Sequence, residues 1–158
     1  MQPGDLIFAH TNDIVGKGIR WAERIRFRGG AAFNHVATVY AFDDGEWNVI
    51  QAQARGITVC PLSSVAPNGT YTIIQPPTSV DTAKQINFLE KQVGDPYGFL
   101  TIASILVNMF LPKFIDVELP GTWICSAVAA EALRFGGWYH SWPDIYETSP
   151  AQLWEALM

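Results

Sequence analysis

HVATVYAFDDGEWNVIQAQARGITVCPL, residues 35–62, decides the fold class. Its first part, HVATVYAF, is β-branched and aromatic and reads as a buried strand. DDGE at 43–46 is a turn signal. WNVIQAQA then returns as a second strand, forming a hairpin with the first, and RGITVCPL continues as a third. Working outward, DLIFAH at 5–10 is a short opening strand, and TYTIIQP at 70–76 is a further strand closed by Pro76 and Pro77.

Helical patterns dominate the rest. Asp13 can cap a helix carrying Ile14, Trp21 and Ile25 on one stripe, ended by Gly29 and Gly30. SVDTAKQINFLEKQVG, 79–94, sets Ala83, Ile86, Phe88, Leu89 and Val93 against Lys84, Gln85, Glu90, Lys91 and Gln92, the pattern of an amphipathic helix. DPYG interrupts it, and the apolar run FLTIASILVNMFL, 99–111, follows as a buried helix. LPKFIDVELPGTW is a Pro-bounded connection. SPAQLWEALM closes the chain as a short helix with Ser149 as N-cap and Pro150 in its first position. Strands first and helices later indicate an α+β domain, expected to span 1–158 as one unit.

Composition narrows the function. Hydrophobic residues make up 49 % and charged residues 16 %, so the chain is globular. A net charge of −5 argues against a nucleic-acid partner. The basic cluster RWAERIRFR, 20–28, reads as a solvated helix face. The 99–111 run is too short to span a bilayer, so no stable membrane insertion is expected, although its surface could touch lipid. No basic region followed by an apolar stretch opens the chain. The expectation is therefore a cytoplasmic bacterial protein, or a phage-encoded one delivered to the cell wall.

Chemistry centres on TWICSAVAAEAL, residues 122–133. Cys125 precedes two turns of good helix formers, and a helix start presents unpaired N–H groups and the positive end of the macrodipole. Both stabilise a thiolate. The competing reading is a small buried hydrophobe. The other cysteine, Cys60 in VCPL, reads as a packed strand end and is expected to be inert. A nucleophilic cysteine needs a base and a group to orient that base. His10 ends the first strand and His140 lies in the aromatic loop WYHSW, whereas His35 begins a strand and is expected to project at the sheet's edge. Gln51, one strand later, interrupts an apolar stretch. It is either a partner for the imidazole or a solvent-facing strand position, since Gln53 shares its parity. Three scattered histidines show no ligand spacing, so neither a metal nor a cofactor is expected.

Taken together, GDLIF, NHVATVY, NVIQAQARGITVCPL, VGDPYGF, WICSAVAAEAL and TSPAQLW resemble, in order, the circularly permuted NlpC-type branch of the papain-like cysteine hydrolases. The resemblance implies an antiparallel sheet of about four to six strands packed against helices, with the nucleophile at a helix N-terminus. It implies Cys125 as nucleophile, His35 as base and Gln51 as the group orienting it. Tyr97 would help bind the oxyanion beside the Cys125 backbone N–H, donors worth roughly 3–4 kcal/mol when aimed at developing charge. The long segment between Tyr97 and Cys125 would form a cleft wall through Phe99, Ile102, Leu106 and Phe110. Gln51 departs from the Glu, His or Asn common at this position, and a neutral amide cannot stabilise an imidazolium as a carboxylate would. The implied reaction is hydrolysis of amide bonds in cell-wall-type peptides or isopeptides through an acyl-enzyme. The alternatives are a lipid acyltransferase or thioesterase, or an inactive binding domain.

Overall fold

Asp44 and Gly45 take the positive φ values, 49° and 81°, that let a two-residue turn match the twist of the strands it joins. That turn joins β2 (His35–Asp43) to β3 (Glu46–Gln53), the hairpin the sequence announces. The computed structural model describes residues 1–10, 33–96, 124–141, 145 and 148–158. The remaining elements are β1 (Leu6–Ala9), β4 (Gly56–Pro61), α1 (Leu62–Val65), β5 (Tyr71–Ile74), α2 (Thr82–Gln92), α3 (Cys125–Phe135) and α4 (Pro150–Leu157). The architecture is α+β, with a five-stranded antiparallel sheet in the order β4-β3-β2-β1-β5. The helix expected after Asp13 and the one over 99–111 lie outside the described residues.

Strand alternation divides the core into two faces. Leu6, Phe8, Val36, Ile50, Ala52 and Ile57 pack against α2, α3 and α4. Ile7, Ala9, Ala37, Val39 and Val49 pack against Leu62 and Val65 of α1. At the α4 end, the Phe8 ring meets Phe33 at 5.7 Å and the Trp154 edge at 5.2 Å. The α4 start is as the sequence indicates. Ser149 Oγ accepts from the Gln152 N–H, Gln152 Oε1 accepts from the Ser149 N–H, and Pro150 begins the helix.

The burial of α2 differs from its sequence pattern. Gln85, placed on the polar side by sequence, is fully buried with Phe88 and Leu89, while Val93 is 43 % exposed. The Gln85 amide donates to the Gly4 carbonyl at 3.1 Å, tying α2 to the strand opening the sheet. A long-range polar contact of this kind leaves no trace in helical periodicity.

The chain leaving α2 docks on the sheet. Ile57 N–H donates to Asp95 O, and Gly94 N–H donates to Ile57 O, both at 2.9 Å. Gly56, at φ 99°, sits where a Cβ would run into the Asp95 carbonyl. Gly56→Ala is therefore expected to lower unfolding stability by about 1–3 kcal/mol in denaturant titration, through both strain and contact.

Asp81 caps α2, accepting the Lys84 N–H at 3.1 Å. That backbone bond first, with the Lys84 side chain adding to it, holds the Asp81 carboxyl below its ordinary value of 3.8, against the opposing effect of desolvation. A lowered folded-state pKa means the contribution is present above the ordinary carboxylate range and is lost as pH falls through the lowered value. Thermal melts from about pH 5 to pH 2 should show a shallower loss of stability in Asp81→Asn, whose amide oxygen caps without titrating.

Candidate functional site

His35, Gln51 and Cys60 lie on three neighbouring strands and form one hydrogen-bonded chain. The β2–β3 register sets Ala37 directly across from Gln51. His35, two residues earlier on the same face, meets Gln51 on the diagonal. Its Nε2 lies 2.6 Å from Gln51 Oε1. An amide oxygen can only accept, so the imidazole donates from Nε2 and its basic nitrogen is Nδ1. Gln51 Nε2 in turn donates to Cys60 Sγ at 2.8 Å. Both ends of the amide are thus engaged.

Two expectations are corrected by this geometry. β2 is the central strand, and His35 is 5 % exposed rather than projecting at an edge. Gln51 is 2 % exposed, which removes the solvent-facing alternative. Ala37, Val39 and Val49 on this face of the sheet pack with Leu62, Val65 and Ala66, a covering that strand parity does not reveal. Cys60, read from the sequence as a bystander, is half-buried and ends the chain of bonds. No sequence signal identifies it, because its place depends on the β3–β4 register, which pairs it with Val49.

Cys125 is the first residue of α3 and is buried. Asp81 and Ser149 cap α2 and α4 with side-chain oxygens, but Ile124 precedes α3 and supplies no such cap. The N–H groups of this first turn are therefore not taken up by an N-cap side chain, the condition that favours a thiolate. Ser126 Oγ donates to the Thr148 carbonyl at 2.5 Å, fixing the same turn against the segment before α4. Cys125 belongs to the buried cluster containing Ile50 and Ala52, the two residues flanking Gln51. It therefore packs with Ile50 and Ala52, while His35, Gln51 and Cys60 share the alternate strand positions with Ala37, Val39 and Val49. Farther along α3, buried Glu131 is paired with Arg134 through two bonds of 2.7 and 2.5 Å.

Tyr97, Phe99, Ile102, Leu106 and Phe110 lie outside the described residues. His140 stacks on Trp138, with ring centroids 5.4 Å apart. No helix among the described residues is long and apolar enough to cross a membrane.

No protein-family model matches the chain, and no curated protein matches it by sequence. Among solved structures it is similar to the metalloprotein yiiX of Escherichia coli O157:H7, a DUF1105 protein. The TM-score is 0.61 at 17 % identity, covering 85 % of this chain and 66 % of that one. This chain therefore spans just under two thirds of that protein's length, and the likeness is one of fold. That protein is described as a metalloprotein. Among the described residues here, no group of three or more His, Cys, Asp or Glu side chains could hold a metal ion.

Replacing Gln51 by Leu strands the buried imidazole N–H. Denaturant unfolding should show a loss of about 1–3 kcal/mol, and the ring nitrogen shifts of His35 should change from a single tautomer to a mixture. Cys60→Ser keeps an acceptor for the amide and should leave those shifts in place, whereas Cys60→Ala should move them.

Proposed function

We propose that the chain is a permuted NlpC-type, papain-like domain that cleaves amide bonds by acyl transfer to Cys125. The observation that carries this reading is the buried bond from His35 Nε2 to Gln51 Oε1 at 2.6 Å. It fixes the one tautomer in which Nδ1 can take a thiol proton. A histidine that served only packing would not need an amide held at both ends to set its ring.

In this reading the Cys125 thiol gives its proton to His35 Nδ1, and the thiolate so formed adds to the substrate carbonyl. The leaving amine takes that proton as the C–N bond breaks. Water, deprotonated by the same nitrogen, then releases the acid and restores the thiol. Gln51 contributes orientation without charge, so the imidazolium is stabilised by the thiolate itself rather than by a carboxylate. His35 begins β2 and Cys125 begins α3, so imidazole and thiol would meet around the end of the sheet rather than across one face. The substrate class proposed is a peptide or isopeptide of cell-wall type, with Tyr97 as a further oxyanion donor and the 99–111 segment as a cleft wall.

The test is the rate of Cys125 alkylation by iodoacetamide against pH, in a Cys60→Ser background that retains the acceptor for Gln51. The thiol should react fast at about pH 6, and His35→Ala should slow that reaction by about tenfold or more. Reactivity that rises only near pH 8.5, as for a free thiol, and that is indifferent to His35, would overturn the reading and leave a binding domain.

A further inference from the structure

The five strands present one common end of the sheet: β1 finishes there at Ala9, β3 finishes at Gln53, and β2, β4 and β5 begin. A cleft of about 630 Å³ opens at this end. Its polar lining comes from His10, Gln53, Arg55, Ser64, Asn68 and Thr70. Two of these lie near His35 along the chain's register. His10 follows Ala9, the partner of His35, and Gln53 lies two residues beyond Gln51 on the same side of β3. Val65 at the end of α1 and the following Ala66 also line the cleft, so it lies on the face that carries His35 and Gln51.

The lining has a definite chemistry. The chain as a whole carries a net charge of −5. Among the described residues the cleft is lined by an arginine, a histidine and four neutral polar side chains, with no aspartate or glutamate. His10 is held in place by its ring packing beside Phe33, centroids 5.8 Å apart. One guanidinium, whose planar fork matches a carboxylate, surrounded by neutral hydrogen-bond groups, suits a single negative charge. A phosphate, with more charge to neutralise, would call for further cations. The volume is that of a small-molecule or short-peptide site.

We infer that this cleft is a subsite for a carboxylate-bearing end of a peptide, bound by Arg55 with help from His10, Gln53 and Asn68. The inference rests on the acyl-transfer reading only for the consequence that such a group would be held close to His35. The subsite would then select substrates with a free carboxylate near the scissile amide.

Binding can be measured without turnover. N-acetyl-alanyl-alanine, its C-terminal amide and glycerol 1-phosphate are titrated into the full chain, following backbone amide shifts of Arg55 and Asn68. The free acid should bind about tenfold more tightly than the amide, and Arg55→Gln should abolish that preference. Arg55 is exposed, so this variant is expected to keep the wild-type spectrum elsewhere. Equal binding of acid and amide, or a preference that survives Arg55→Gln, would overturn the subsite. Tighter binding of glycerol 1-phosphate than of the free acid would also overturn it, assigning the cleft to a phosphate-bearing ligand. If the acid preference holds while Cys125 proves unreactive, the subsite stands on a binding domain and the acyl-transfer reading alone falls.

Discussion

The pairing of β2 with β3 in the register that sets Ala37 against Gln51 is the constraint on which the rest of the molecule depends. A slip of one residue would exchange the two faces of a strand. Val49 and Gln51 would turn toward α3, and Ile50 and Ala52 toward α1. The hydrophobic core would lose its order and the imidazole its partner in the same movement. Because both faces of β2 are buried, such a slip has no low-energy form. The geometry of His35 is therefore held by the burial of Val36, Ala37, Thr38 and Val39 as much as by the bond to Gln51.

Much of the fold is legible in the sequence because its signals are local. The Asp44–Gly45 turn, the capping box at Ser149 and the β-branched run after His35 each act over a few residues, and each gives the element it announces. What is not legible depends on contacts between distant segments. Gln85 occupies a polar slot in a helical pattern, yet it is buried because the carbonyl of Gly4 lies beside it. The docking of Asp95 on β4, which makes any side chain at Gly56 costly, is equally invisible one-dimensionally.

The site divides the same way. That a histidine at the head of a strand can be oriented by a polar residue on the next strand follows from hairpin pairing. That the contact is diagonal rather than direct does not, since it requires the register. Cys60 is the instructive omission. As a lone cysteine before a proline it carries no chemical signature, and only the second register, β3 against β4, brings its sulfur to the free end of the Gln51 amide.

That sulfur alters what a neutral third residue can do. A carboxylate beside an imidazole presents the same acceptor whichever oxygen faces the ring. An amide does not: turned by half a revolution, it would set its own N–H groups against the ring N–H and lose the bond. Gln51 faces the ring with its oxygen while its N–H is taken up by the Cys60 sulfur, so both ends of the amide are occupied in this orientation. The two bonds are thus satisfied together or lost together. A neutral amide anchored in this way gives up the charge that would stabilise an imidazolium, but its oxygen still orients the ring through the Nε2 bond. Buried at 2 % exposure, it does so without the desolvation cost that an ionised side chain would carry at the same position.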